Sequence, residues 1–283
     1  MVVANSKEQI AQLTSDLKAK NATVGFVPTM GALHEGHLAL ISKALNENDK
    51  VFVSIFVNPT QFNNPEDLQK YPRTLERDVA MLKTVNNEDI LVYAPTVEDI
   101  YSKNVNSTKF DFDGLEYEME GEFRSGHFDG VGTVVKRLFE IVKPDNAYFG
   151  EKDFQQLQII RKLVAKNNIP VNIVGCPIHR ESSGLAMSSR NERLTPNFKE
   201  EAPFIYQILK AAKKKFGTKS ANKVTEWVQE QFERNSQLKL EYFTIADVET
   251  LKPIKRKLKK KKYRAFIAAY AGNVRLIDNI ALN

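Results

Sequence analysis

The chain has little of what marks a secreted or membrane-embedded protein. It contains one cysteine, Cys176, among 283 residues, which excludes an intrachain disulfide framework. No apolar run approaches the roughly 18 residues that span a bilayer. The N-terminus also lacks the charged and then apolar layout of a secretory signal. These absences favour a cytoplasmic protein without a membrane partner. Cys176 lies in an apolar predicted strand, which favours a buried, inert thiol over a nucleophile.

Two common nucleotide-binding signatures are also absent. Neither a Walker A motif nor a Gly-x-Gly-x-x-Gly fingerprint occurs, so P-loop and dinucleotide-binding folds lose support. The composition, with 42% hydrophobic and 27% charged residues, is that of an ordinary globular protein. The length suggests one large or two medium domains.

The positive charge of the chain comes from one segment. The formal net charge is +6, but residues 252–264 hold nine basic residues and no acidic one. Without this segment the net charge would be negative. A local run of this kind is typical of a solvated loop or strand end rather than of a nucleic-acid-binding groove. We therefore expect no nucleic-acid partner.

Apolar strands alternate with amphipathic helices over the first two thirds of the chain. The alternation predicts βαβ units and a parallel sheet. We predict strands at 24–27, 51–57, 90–93, 146–149 and 171–176, and helices at 6–18, from about 37, and at 75–85, 129–142 and 154–166. The pattern also predicts a further strand at 107–113 and a mobile surface loop at 114–128.

The pattern changes after Thr195-Pro196. Two helices, at 199–216 and 221–233, precede strands at 238–246, 264–271 and 274–278. We predict a Rossmann-like α/β domain over residues 1–178 that binds the substrates. A smaller α+β domain over residues 179–283 is expected to cover the active site.

Two of the four histidines, His34 and His37, follow the first buried strand, where a helix is predicted to begin near His37. The first turn of a helix has unpaired N–H groups and a positive dipole end, which attract phosphate. Gly36 lets a ligand approach the backbone, and imidazole donors could stabilise a phosphate transition state. A pair of ordinary surface histidines remains an alternative. Zinc is less favoured, because Glu35-Gly36 breaks the helical i, i+4 spacing.

Three other polar loops follow predicted strands or strand–helix turns. Gln61 lies after the strand at 51–57, at the sheet edge where open α/β sheets bind ligands. Lys152 could neutralise phosphate at a turn where Asp153 would cap the next helix. The hydroxyls and arginine of residues 187–190 could contact a triphosphate. Solvated turns, or a flexible interdomain linker at 180–191, remain alternatives.

Four sequence blocks, taken in order, resemble one known family. They are Pro28-Thr29-Met30-Gly31-Ala32-Leu33-His34-Glu35-Gly36-His37, Asn58-Pro59-Thr60-Gln61-Phe62, Gly150-Glu151-Lys152-Asp153-Phe154-Gln155-Gln156 and Met187-Ser188-Ser189-Arg190-Asn191, accompanied by Gly126-His127-Phe128-Asp129-Gly130. This set resembles the pantothenate synthetases, the pantoate–β-alanine ligases of the His-x-Gly-His nucleotidyltransferase superfamily. The resemblance covers most of the first two thirds and implies a nucleotidyltransferase-type parallel sheet.

The resemblance implies an ATP-dependent ligase that condenses pantoate with β-alanine to pantothenate, with Mg²⁺. Pantoate would first form a pantoyl adenylate and release pyrophosphate, and β-alanine would then displace AMP. A homodimer is also implied. A sister nucleotidyltransferase, which leaves the nucleotide on its product, remains the alternative from the residues alone.

The resemblance also assigns residues. The catalytic group would be His34, His37, Lys152 and Arg190, with His37 as proton donor. Pantoate would contact Gln61, Gln156 and Met30, with Gln61 also facing β-alanine, and Asp153 would hold the metal. ATP would contact Met30, Gly31, Ala32, Leu33, His34, Glu35, Gly36, His37, Gly150, Glu151, Lys152, Asp153, His179, Met187, Ser188, Ser189 and Arg190. Residues 63–70 and 187–191 would cover the reactive adenylate.

Overall fold

A computed structural model describes residues 1–62, 65–235 and 237–283. The expected cover at 63–70 therefore lies partly outside the described residues. The backbone divides into two compact units. The first comprises Met1–Glu151 and Gln155–Pro177, and the second comprises Lys152–Phe154 and Ile178–Asn283. The sequence does not indicate that the short segment Lys152–Phe154 belongs to the second unit.

The first unit is built on a six-stranded parallel sheet in the order β1-β4-β3-β2-β5-β6. Its strands are β1 (Val2–Ala4), β2 (Val24–Thr29), β3 (Lys50–Ile55), β4 (Ile90–Tyr93), β5 (Asn146–Gly150) and β6 (Asn172–Cys176). From β2 the chain runs outward to β3 and β4, then returns to β5 on the other side. The strand order thus reverses between β2 and β5, which is where open α/β sheets form a binding crevice.

In the described part of the chain, the helices that accompany this sheet are α1 (Lys7–Ala19), α2 (Glu35–Glu47), α3 (Pro65–Lys70), α4 (Leu75–Val85), α5 (Val97–Tyr101), α6 (Glu120–Phe123), α7 (His127–Val142) and α8 (Phe154–Lys166). The predicted capping box of α1 is present, with Ser6 as N-cap and Gln9 returning the hydrogen bond. The central strands are buried because helices cover both faces, as their apolar sequences predict. The predicted parallel α/β class is confirmed.

The second unit contains α9 (Pro196–Glu201), α10 (Phe204–Phe216) and α11 (Ala221–Arg234) beside an antiparallel sheet of β7 (Leu238–Asp247), β8 (Tyr263–Ala271) and β9 (Val274–Ala281). Apolar faces of α10 and α11 join the sheet in one core. The predicted α+β class is confirmed, although the helix predicted at 199–216 is interrupted before Phe204. No helix among the described residues is long and apolar enough to cross a membrane.

The strand predicted at 107–113 is wrong. The backbone N–H groups of Thr108 and Phe110 donate to the side chains of Thr133 and Asp129 on α7 instead of to a neighbouring strand. Phe110 and Phe112 alternate with polar residues because both rings pack against Gly132 of α7. A Cβ atom built on Gly132 would lie 3.0 Å from each ring. An apolar–polar alternation can therefore arise from contact with a helix.

The segment after it is more ordered than predicted. Residues 114–128 contain a 3₁₀ turn at Leu115–Tyr117 and the short helix α6. Leu115 and Met119 are buried. The buried side chain of Gln155 donates to two carbonyls of this segment and accepts from Glu120 N. Residues 114–128 therefore pack against the first unit and do not form the predicted mobile surface loop.

Helix α7 lies very close to the turn that carries Gln61. A Cβ atom built on Gly130 would lie 2.2 Å from the Thr60 carbonyl oxygen, so only glycine permits this approach. The buried Asn58 donates to the Gly130 carbonyl at 3.3 Å and accepts from Tyr101 at 2.6 Å. The position of the turn thus depends on the absence of a side chain at residue 130.

Gly130→Ala should lower the free energy of unfolding by about 1–3 kcal/mol, because the new methyl group must displace the turn. Urea unfolding measures the change. Gly150→Ala is the control, because its Cβ atom would enter open space, and it should stay within about 0.5 kcal/mol of the parent. Equal stability of the two variants would contradict the close approach.

Candidate active site

The connection between β2 and α2 is a tight loop with unusual backbone angles. Gly31 and Ala32 have φ values of +80° and +50°, in the left-handed region. The Gly31 N–H donates to Thr29 Oγ1 at 3.1 Å, and that hydroxyl donates to the Ser54 carbonyl of β3 at 2.7 Å. The loop is therefore fixed to the neighbouring strand.

A buried carboxylate holds the same loop from the other side. Asp78, in the first turn of α4, has no exposed surface and accepts hydrogen bonds from Ala32 N at 3.0 Å and Leu33 N at 2.8 Å. Asp78 is not among the site residues predicted from the sequence. A signal exists in hindsight, because Asp78 lies one helical turn before the buried Leu82 and so occupies the apolar face of α4.

Helix α2 begins at Glu35, two residues earlier than predicted, because His34 is its N-cap. His34 Nδ1 accepts from Gly36 N at 3.1 Å, and His37 Nδ1 accepts from His34 N at 3.3 Å. A neutral imidazole whose Nδ1 accepts carries its proton on Nε2. The helix cap therefore sets both rings as Nε2–H donors, and their centroids lie 4.1 Å apart.

The backbone of Gln61 is held by two residues near the start of α7. Its carbonyl oxygen accepts from His127 Nδ1 at 2.9 Å and from Arg124 at 3.1 Å. Neither of these contacts uses the Gln61 side-chain amide. Gln61 follows β3, and the loop between β2 and α2 (the histidine loop, residues 30–34) follows β2. The two therefore lie at the same carboxyl edge of two paired strands.

Residues 150 to 156 divide between the two units. Gly150 ends β5 beside β2, and Glu151 belongs to the first unit with it. Gln155 is buried and engaged by residues 115–120 through both ends of its amide. Its neighbour Gln156 is half-buried and takes no part in that network. The two adjacent glutamines therefore have different surroundings.

In the second unit, Lys152 and Asp153 form a loose pair. The ammonium nitrogen lies 3.7 Å from the carboxylate, and the two side chains are 19% and 50% exposed. Asp153 thus presents a carboxylate beside a mostly covered cation. Among the described residues there is no cluster of three metal-ligating side chains, so a metal here would need oxygen atoms from a ligand, as Mg²⁺ commonly does.

Hydrogen bonds fix the loop that contains residues 187–190. Met187 N donates to the carbonyl of the exposed His179 at 3.0 Å, and Ser188 Oγ caps a 3₁₀ turn by accepting from Arg190 N at 3.3 Å. The buried Asn191 donates to Glu181 at 2.8 Å and to a carbonyl of the loop. These contacts favour a loop with a defined conformation over a flexible linker at 180–191.

The structure thus groups the expected residues by unit. Met30 to His37, Gln61, Gly150, Glu151 and Gln156 belong to the first unit; Lys152, Asp153, His179 and Met187 to Arg190 belong to the second. Cys176, at the end of β6 in the first unit, is not one of the expected site residues. Burial raises the pKa of its thiol to about 11, so it is protonated at neutral pH and is not a nucleophile.

Asp78→Asn should loosen the loop between β2 and α2, because the amide keeps one acceptor oxygen and replaces the other with a donor, so one of Ala32 N and Leu33 N loses its acceptor. The expected cost is about 1–3 kcal/mol of stability, with faster hydrogen exchange at these two amides. Asp16→Asn on α1 is the control, because Asp16 is exposed and accepts from the neighbouring surface residue Gln12. Unchanged exchange at both amides in Asp78→Asn would contradict the anchoring role.

Comparison with known proteins gives one answer over the whole chain. A family model described as pantoate–β-alanine ligase matches residues 2–281. Proteins named pantothenate synthetase from Christiangramia forsetii and Flavobacterium psychrophilum are 59% and 60% identical to the chain, with complete coverage of both sequences in each case.

Solved structures agree with these sequence matches. The chain is similar to the crystal structure of pantothenate synthetase from Thermus thermophilus, with a TM-score of 0.90, 40% identity and coverage of 100% of this chain and 99% of that one. It also resembles pantoate–β-alanine ligase from Francisella tularensis, complexed with β-γ ATP and β-alanine. There the TM-score is 0.79, the identity 39%, and the coverage 100% and 98%.

Proposed function

The chain belongs to the pantoate–β-alanine ligase family, and we propose that it joins pantoate to β-alanine at the expense of ATP. The observation that carries this proposal is the family match over residues 2–281. An oxygen of the pantoate carboxylate attacks the α-phosphorus, and pyrophosphate leaves. The β-alanine amine then attacks the acyl carbon of the pantoyl adenylate, AMP leaves with the carboxylate oxygen, and pantothenate forms with loss of a proton from the amine.

In the first unit, residues Met30 to His37 with Gly150 and Glu151 are assigned to ATP. In-line displacement at phosphorus needs positioning and positive charge rather than covalent help. The start of α2 presents the positive end of the helix dipole, and the Nε2–H groups of His34 and His37 are donors because their Nδ1 atoms accept within the cap. His37 is assigned as the proton donor to the phosphate.

In the second unit, Lys152, Asp153, His179 and Met187 to Arg190 are assigned to ATP, with Lys152 and Arg190 neutralising phosphate charge. Asp153 is assigned to Mg²⁺, because its half-exposed carboxylate suits an ion that takes one or two carboxylates plus phosphate oxygens. The ion would offset negative charge on the phosphates. We likewise propose that residues 1–178 and residues 179–283 form two functional domains.

Pantoate is assigned to Gln61, Gln156 and Met30, with Gln61 also facing β-alanine. A glutamine amide can donate to a carboxylate and accept from a hydroxyl, the two kinds of polar group that pantoate carries. The two carbonyl contacts of Gln61 fix its backbone and leave the amide to the substrate. A cytoplasmic homodimer completes the proposal and rests on the family resemblance.

The test of the reaction is exchange of labelled pyrophosphate into ATP in the presence of Mg²⁺ without β-alanine. We expect exchange that requires pantoate, because the first step is reversible and needs no amine. The alternative of a sister nucleotidyltransferase predicts that AMP stays on the product. Recovery of an AMP-containing final product after β-alanine is added would overturn the proposal.

His37→Ala and Lys152→Ala should each slow pyrophosphate exchange by on the order of 10²–10³, the usual loss when one transition-state donor is removed. Circular dichroism checks that each variant is folded. Lys43→Ala, which loses an exposed ion pair on α2, is the control and should exchange at the parent rate. Parent-like exchange in His37→Ala or Lys152→Ala would refute the role given to that residue.

Gln155 and Gln156 form a matched pair for the pantoate assignment. Gln156→Ala should raise the pantoate KM at least about tenfold with little change in stability, because a substrate contact is lost. Gln155→Ala should instead lower stability by about 1–3 kcal/mol, because carbonyls of residues 115–118 lose their donor. An unchanged pantoate KM in Gln156→Ala would exclude it from the pantoate site.

A further inference from the structure

The backbone of Lys152 is held by a side chain from the last strand of the chain. Asn279, in β9, is 2% exposed and donates from Nδ2 to the Lys152 carbonyl oxygen at 2.9 Å. Its Oδ1 accepts from Arg264 Nη1 of β8. One amide thus connects the sheet of the second unit to the residue assigned to phosphate.

Phe154, two residues after Lys152, packs against the same sheet. The Arg264 guanidinium lies 4.0 Å from the centre of the Phe154 ring, and Phe266 packs on that ring at 6.0 Å. Phe154 is buried. These contacts explain why Lys152–Phe154 groups with the second unit although its neighbours on both sides belong to the first.

Asn279 is itself held by its neighbour in β9. Asp278 Oδ1 accepts from Asn279 N at 2.7 Å, and the Asp278 carboxylate pairs with Arg180 through two contacts of 2.6 and 2.8 Å. The Arg180 guanidinium also stacks at 3.6 Å on the Tyr206 ring. The amide is therefore part of a buried network rather than a mobile surface contact.

We propose that Asn279 is a positioning residue that sets the place of Lys152 in the adenylation step. The inference rests on the proposed function of Lys152. A lysine is a point charge on a flexible stem, so the place of its ammonium depends on where its backbone is fixed. Only a side chain that donates and accepts at once can join the Lys152 carbonyl to Arg264, which a carboxylate or an alkyl group cannot do.

The sharpest variant is Asn279→Asp, because it keeps the shape and the acceptor for Arg264 but removes the donor to Lys152. We expect pyrophosphate exchange to fall by on the order of 10- to 100-fold, the scale of a misplaced catalytic group. Asn279→Ala should give a similar loss. Asn197→Asp is the control and should match the parent, because it makes the same change at an exposed site of α9 whose amide donates to Gln237.

A double-mutant cycle separates positioning from a general structural role. If Asn279 acts through Lys152, then Asn279→Asp should change exchange by less than about twofold when Lys152 is already alanine. A structural role would instead give the same loss in both backgrounds and overturn the inference. Both backgrounds are measured well below the onset of each variant's thermal unfolding transition, so that only folded enzyme is compared.

The cycle also distinguishes the positioning role of Asn279 from the role of Lys152 itself. A slow Lys152→Ala enzyme with parent-like Asn279→Asp and Asn279→Ala overturns the positioning inference and leaves the function of Lys152 intact. Parent-like exchange in Lys152→Ala overturns the proposed role of Lys152, and the inference falls with it. Loss in Asn279→Asp that disappears in the Lys152→Ala background supports both.

Discussion

The pair of hydrogen bonds from Ala32 and Leu33 to the buried carboxylate of Asp78 determines the geometry of the first unit's candidate site. The loop between β2 and α2 has two left-handed residues in succession, a conformation that needs outside support. With the loop fixed, His34 caps α2 and the two imidazoles accept backbone N–H groups at Nδ1. Their Nε2–H groups therefore become donors as a consequence of the fold.

The same principle recurs at other assigned residues. The Gln61 carbonyl is held by His127 and Arg124, and the Lys152 carbonyl by Asn279. In each case a side chain from a distant part of the chain fixes the backbone of a residue whose own side chain is assigned to substrate. Loops that follow parallel strands are common positions for substrate-binding residues, and remote side chains that fix the backbone of such loops would give the assigned residues a defined position.

The sequence predicts most of the elements because their signals are local. Helix α4 and strand β4 have the predicted bounds, and the capping box of α1 is present. The polar loops are also recognisable from short motifs. The anchors are not: Asp78 lies 45 residues from Leu33, and Asn279 lies 127 residues from Lys152. No periodicity or capping rule links such positions. The false strand at 107–113 has the same origin, because its partner is the distant helix α7.

The central claim is that the pantoate carboxylate is activated by adenylation, and heavy-oxygen labelling of that carboxylate tests it most directly. The enzyme would turn over labelled pantoate, ATP and β-alanine, and mass spectrometry would follow the label. Attack of the carboxylate at the α-phosphorus predicts that one labelled oxygen leaves in AMP, because β-alanine then breaks the acyl–oxygen bond. Unlabelled AMP with the label in pyrophosphate would show attack at the β-phosphorus, and ADP with the label in inorganic phosphate would show attack at the γ-phosphorus. Either result would contradict the account.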